Sequence, residues 1–138
     1  MKVRLLLFMT ISLVWFNSHA RSVTRLKIKA SGLTIESAAR NSQEECKAFK
    51  PSPGQVKNYF NKAYPVEAYM VTTERYSPCY AVGTLAFSDG HFGTWTLYSS
   101  GTAILSFNRG DVVNLYFQKN RWRDPYACTY GLGDVGKC

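Results

Sequence analysis

Apolar and polar side chains change their period at about residue 65, from a helical repeat before it to strand-like alternation after it. Val56, Tyr59, Phe60 and Ala63 stand at i, i+3, i+4 and i+7, while Lys57, Asn58, Asn61 and Lys62 fall on the other side. That is the stripe of an amphipathic helix packing on something apolar. Its start is set by Ser52-Pro53-Gly54-Gln55, a capping serine, a proline at the first helical position and a glutamine three residues after the cap. Pro65 stops it. Downstream, Val66 to Thr73, Cys79 to Phe87, Phe92 to Tyr98, Thr102 to Phe107 and Val112 to Gln118 are predicted strands, rich in β-branched and aromatic residues. Ser88-Asp89-Gly90-His91, Ser99-Ser100-Gly101 and Asn108-Arg109-Gly110-Asp111 supply the reversals between them. The expected fold is α+β: one N-terminal amphipathic helix packed on a four- to five-stranded antiparallel meander sheet. Along Phe92 to Tyr98, Trp95 and Leu97 share the face predicted to meet the helix. The opposite face then shows threonine, serine and tyrosine, a polar-aromatic surface suited to recognition.

The first twenty residues carry a third pattern. Basic Lys2 and Arg4 precede an apolar run from Leu5 to Phe16, and Ser18-His19-Ala20 follows, which is the layout of a secretory signal peptide cut after Ala20. The run is too short for a helix that spans a bilayer, so no membrane span is expected and the chain is read as periplasmic or secreted. Residues 21–45 form a polar, partly mobile segment in which Leu26, Ile28 and Ala30 alternate as an edge strand would. Residues 46–138 form a single domain, with no internal repeat and no linker.

Export changes how the charge and the cysteines are read. Loss of Lys2 and Arg4 leaves 15 basic side chains against 9 acidic ones, a balance that suits an acidic partner or surface. No block of five like charges exists, so nothing resembles a nucleic-acid-binding tail. Cys46, Cys79, Cys128 and Cys138 all lie in the mature part, and an even count in an exported chain implies two disulfides. Four cysteines allow three pairings. The one favoured joins Cys46 to Cys79 and Cys128 to Cys138, the second stapling a tail that carries Gly131, Gly133 and Gly136. The wide cysteine spacing, with His91 as the one histidine left after signal removal, gives no metal-ligand pattern, and no cofactor is implied.

No catalytic constellation is evident. His91 stands in a predicted turn, and cysteines held as cystines cannot serve as thiol nucleophiles. An enzyme would have to draw a general base from Glu67 or Glu74, an acid from His91 and phosphate-binding cations from Arg109 or Arg121. A basic, disulfide-bonded domain with one helix on an antiparallel sheet resembles the microbial guanyl-type ribonucleases in outline, which makes a secreted ribonuclease the alternative enzyme reading. In that family the acid histidine follows the glutamate and arginine, whereas His91 precedes both arginines. Arg109-Gly110-Asp111 matches the tripeptide read by integrins, yet Asn-Arg-Gly-Asp is also an ordinary turn and is read as one.

Arg121-Trp122-Arg123 lies just beyond the last strand and offers the residue types that dominate interface hot spots. The competing reading has Trp122 plugging the end of the core while Arg121 and Arg123 snorkel to water. Candidate partner contacts are therefore His91, Arg109, Asp111, Arg121, Trp122 and Arg123.

Glu45-Cys46-x-x-Phe49, Pro51-Ser52, Gln55-Val56, Tyr59-Phe60, Ala63, Ser77-Pro78-Cys79, Gly83-x-Leu85-x-Phe87-x-Asp89-Gly90 and Gly93-x-Trp95 together resemble small secreted proteins of Gram-negative bacteria without an assigned activity. The likeness covers roughly residues 45–118. It implies a periplasmic location, no cofactor, and a build similar to proteins that neutralise a toxin or a cell-wall-degrading enzyme. The expected function is that of an immunity or inhibitor protein binding an acidic exported toxin or effector. The alternatives are the ribonuclease and an envelope protein that binds anionic polysaccharide or lipid.

Overall fold

The computed structural model describes residues 21–130; the signal-like segment 1–20 and the tail 131–138 lie outside the described residues. The chain runs β1 (Val23–Thr34), α1 (Arg40–Cys46), α2 (Pro53–Lys62), β2 (Tyr64–Pro65), a π-helical turn (Met70–Glu74), β3 (Cys79–Phe87), β4 (Phe92–Tyr98), β5 (Thr102–Phe107) and β6 (Val112–Tyr116). All pairings are antiparallel in one six-stranded sheet of order β1-β3-β4-β5-β6-β2. The α+β class and the meander from β3 to β6 agree with the sequence. The strand count does not: β1 and the two-residue β2 bring it to six.

Helix α2 begins as its sequence dictates. Ser52 accepts from the Gln55 backbone N–H at 3.2 Å, and the Gln55 side chain accepts from the Ser52 N–H at 2.8 Å, closing a capping box with Pro53 in the first turn. Val56, Tyr59 and Phe60 are buried. Tyr59 meets Phe60, Phe117 and Trp122, while Phe60 lies 5.6 Å from the Trp95 ring. Trp95 and Leu97 are buried on the inner face of β4 as expected, with Leu85, Phe87, Ala103, Leu105 and Phe107 from the flanking strands.

The sheet itself makes room for Trp95. A β-carbon on Gly83, its partner across β3 and β4, would overlap both the indole and the Lys27 carbonyl oxygen, so only glycine fits there. The disulfide Cys46–Cys79 ties the end of α1 to the start of β3 at a Cα–Cα distance of 4.9 Å, as expected. The other expected pair cannot be placed in the same way, because Cys138 lies outside the described residues.

Two expectations are corrected. Val66 to Thr73 is not a strand. Val66 donates its N–H to the Asn114 carbonyl at 2.9 Å, after which the chain turns helical. Pro65 removes a ladder donor, and the buried residues Val71 and Arg75 lie four apart, a helical spacing hidden within an apparent alternation. Second, the polar segment 21–45, set apart in the sequence from the domain, supplies the longest strand of the sheet and α1. Leu26 and Ile28 face the core opposite Leu85 and Gly83, and Val23 is 2% exposed. Strand β1 is an edge strand, as its alternation suggests. Among the described residues, no helix is long and apolar enough to cross a membrane.

Candidate functional site

The three tight hairpins share one design. In each, a three-residue loop ends in glycine with positive φ, at Gly90 (84°), Gly101 (89°) and Gly110 (102°), and that glycine's N–H returns to the last strand carbonyl at 3.0, 3.1 and 2.9 Å. Glycine is the residue that adopts this conformation without a steric penalty. Because β3-β4 and β5-β6 turn in the same direction, the first and third tips emerge side by side at one end of the sheet.

There the two loops are joined through their side chains. Arg109 donates from Nη1 to His91 Nε2 at 3.0 Å. Arginine can only donate, so Nε2 is the acceptor and the ring proton sits on Nδ1, 3.1 Å from Asp89 Oδ2. Asp89 also accepts from the His91 backbone N–H at 3.0 Å and pairs with Arg21 Nε at 3.0 Å. The His91 backbone N–H, more than its side chain or the Arg21 charge, holds the Asp89 carboxyl below the usual aspartate range. Arg109 pairs in turn with Asp111. Beneath this network lie Phe87 and Phe107, with the Arg21 guanidinium 3.9 and 4.8 Å from their ring centres and His91 edge-on to Phe107 at 6.4 Å. Of the residues singled out in the sequence, His91, Arg109 and Asp111 are thus brought together. Arg21 and Asp89 complete the cluster, Arg21 from a position immediately after the expected signal cleavage.

The Arg121-Trp122-Arg123 segment is at the other end of the sheet, and there the core-plug reading is the correct one. Trp122 is 8% exposed, donates from its indole to the Ser99 carbonyl at 2.9 Å and packs edge-on to Phe49 at 5.8 Å. It is a core residue and offers no ring to a partner. Arg121 and Arg123 flank it and are exposed. Ser99 and Asp124 continue this closure: Ser99 donates to Asp124 at 2.6 Å, and the Tyr130 hydroxyl donates to the other Asp124 oxygen at 2.7 Å. Burial and the Asp124 carboxylate push the Tyr130 hydroxyl far above its ordinary value. Arg121 borders a hollow of about 470 Å³ with Lys62, Lys119, Asn58 and Asn120.

The carboxylates of the ribonuclease arrangement do not join the histidine. Glu67 precedes the π-helical turn and Glu74 is its last residue, lining a separate hollow with Tyr76, Tyr126 and Tyr130. On the outer face of the sheet runs a groove of about 910 Å³, floored by Thr84, Ala86, Thr94 and Ser106 and bounded by Arg25, Lys27, Phe92 and Asn108. Phe92 is 52% exposed. Its signal in the sequence is the alternation of Arg25 and Lys27 with Leu26 and Ile28, which sends cations outward wherever the apolar pair turns inward. Among the described residues, no group of three or more histidine, cysteine or carboxylate side chains is placed to hold a metal. Comparison with known proteins matches the chain to no family model, no curated protein and no solved structure.

Proposed function

We propose that this protein works by binding, as an exported immunity or inhibitor protein that neutralises an acidic toxin or effector enzyme by occlusion. The observation that carries the reading is the joined pair of hairpin tips, in which Arg109, His91, Asp89, Arg21 and Asp111 are cross-linked by hydrogen bonds and ion pairs at an exposed end of the sheet. Side chains already fixed in place lose little conformational freedom when a partner arrives, and short hairpins on a sheet hold them rigidly. The same geometry argues against general-base chemistry at His91, since the Nε2 lone pair that would take a proton is engaged by Arg109. An excess of basic side chains in the mature chain favours an acidic target through steering and complementarity. A periplasmic or extracellular site suits the Cys46–Cys79 disulfide.

The mature, oxidised protein, immobilised and exposed to the exported fraction of its own source, is expected to retain one enzyme in stoichiometric amount through a high-salt wash and to inhibit it in solution. The double variant Arg109→Ala/Asp111→Ala should weaken that complex at least tenfold while its thermal midpoint stays unchanged. Retention of salt-labile anionic material alone overturns the reading. So does RNA hydrolysis that disappears on His91→Ala, which would establish the enzyme instead.

A further inference from the structure

The outer face of the sheet carries an ordered surface that the hairpin-tip reading does not use. Antiparallel register aligns Lys27, Thr84, Thr94 and Ser106 in one row across β1, β3, β4 and β5. Arg25, Ala86 and Phe92 form the next row, continued by Asn108, whose N–H bonds the Phe92 carbonyl at 3.0 Å. Residues opposite one another in antiparallel strands share a face, so both rows point outward, away from Trp95 and Leu97. Neighbouring strands are about 4.8 Å apart, which places three hydroxyl-bearing side chains at regular steps perpendicular to the strands. One end of the rows carries two exposed cations, the other an amide, and Phe92 stands beside the line as an exposed aromatic wall.

The lining excludes several occupants. Among the described residues no acidic side chain borders the groove, and neither Arg25 nor Lys27 is taken up in an ion pair. An anionic ligand therefore finds uncompensated charge there. Addition of a partner strand to the β1 edge is disfavoured, because β1 breaks register at three places and carries Arg25, Lys27 and Lys29. A floor of small hydroxylated and methyl side chains gives a large peptide side chain little to pack against, and one aromatic ring is too few to stack successive nucleic acid bases. A carboxylated sugar chain fits each element: hydroxyls and an amide for its own hydroxyls, a ring for the apolar face of a pyranose, cations for its carboxylates, and a spacing near the length of one sugar unit. The groove volume of about 910 Å³ is ample for a short oligosaccharide.

We propose that the outer face of the sheet is a binding site for an anionic, uronate-bearing oligosaccharide lying across β1, β3, β4 and β5. This site is separate from the Arg109–His91 tips, so it stands or falls independently of the inhibitor reading.

The test is calorimetric and NMR titration of the oxidised mature protein with hexameric oligogalacturonate and oligomannuronate, with fully methyl-esterified oligogalacturonate as the neutral match and poly-glutamate as an acidic polypeptide. Binding of at least one oligouronate is expected, at least tenfold weaker after methyl esterification. The double variant Arg25→Ala/Lys27→Ala and the single variant Phe92→Ala should each weaken it at least tenfold, and Thr94→Val, which keeps every charge, about threefold or more. Arg109→Ala should leave it unchanged. Circular dichroism and the thermal midpoint of each variant verify that it is folded. Failure of both oligouronates to bind at millimolar concentration overturns the proposal. Binding that ignores Phe92→Ala and Thr94→Val also overturns it, as unspecific charge attraction, and tighter binding of poly-glutamate would assign the groove to an acidic protein segment instead.

Discussion

The two faces of the sheet are built on the same strands and have opposite roles. On β4 the inner positions are Gly93, Trp95 and Leu97, all buried, and the outer ones are Phe92, Thr94, Thr96 and Tyr98, half-buried or exposed. The inner face is filled by α2 and the aromatic cluster of Phe49, Tyr59, Phe60 and Trp122. Only part of the outer face is covered. At the β6 side the π-helical segment lies over it, with the Arg75 guanidinium 5.1 Å from the Tyr116 ring and 5.4 Å from Tyr130, while toward β1 none of the described residues covers it. Side chains of comparable β-propensity thus serve stability on one side and remain available on the other. What separates them is whether a helix supplies a second apolar layer.

Substitutions should divide along the same line. Trp95→Ala is expected to cost about 3–5 kcal/mol in chemical denaturation, because it removes a large buried ring and leaves a cavity under Gly83. Trp122→Ala should fall in that range too; a small cost would return Trp122 to the surface. Thr94→Val, one residue from Trp95 but outward, should stay within about 0.5 kcal/mol, and a large loss there would mean that the open face is packed after all.

Replacing Cys46 and Cys79 together by alanine is expected to lower stability by about 2–4 kcal/mol, since the bridge closes a long loop in the unfolded chain. Comparison of urea midpoints with the oxidised parent measures it. Ser52→Ala should cost about 1 kcal/mol through loss of the capping box, an effect on the helix that covers the inner face and none on the outer one.

The smallest effect belongs to the hairpin tips. The Asp89 carboxyl is lowered in the folded protein, so the unfolded chain binds a proton more readily. Its stabilisation is present above the ordinary aspartate range and is lost as the pH falls through the lowered value. Asp89→Asn should therefore reduce the acid-side fall in thermal midpoint and bring the two proteins together at low pH. Parallel pH profiles over the whole acid range would show that Asp89 gains nothing from the cluster.

Much of the meander was legible because its signals are local. β3, β4 and β5 begin and end where alternation and turn chemistry put them, and α2 starts at the serine, proline and glutamine of its cap. The turn glycines are equally local, since a three-residue loop requires positive φ whatever surrounds it. By contrast, Val66 to Thr73 shows an alternation that a strand and a short helical turn both accommodate. Pairing with β6 ends at Val66, and packing against β5 and β6 decides the rest. The Arg-Trp-Arg segment shows the same limit in side-chain terms, because one indole serves equally as hot spot or core plug until Phe49, Tyr59 and Ser99 are placed around it.

The candidate sites divide in the same manner. His91 and Arg109 could be named individually as turn residues, but 18 positions separate them, and nothing in either loop specifies a 3.0 Å hydrogen bond to the other. The row from Lys27 to Ser106 spans β1 to β5 and exists only once four strands are in register. Sequence by itself determined the periods, the caps, the turns and the charge balance, all set by interactions within a few residues. Tertiary structure alone decided which strands adjoin, which face the helix covers and which distant cations, hydroxyls and rings share a surface, because those depend on the burial of apolar area between segments far apart in the chain.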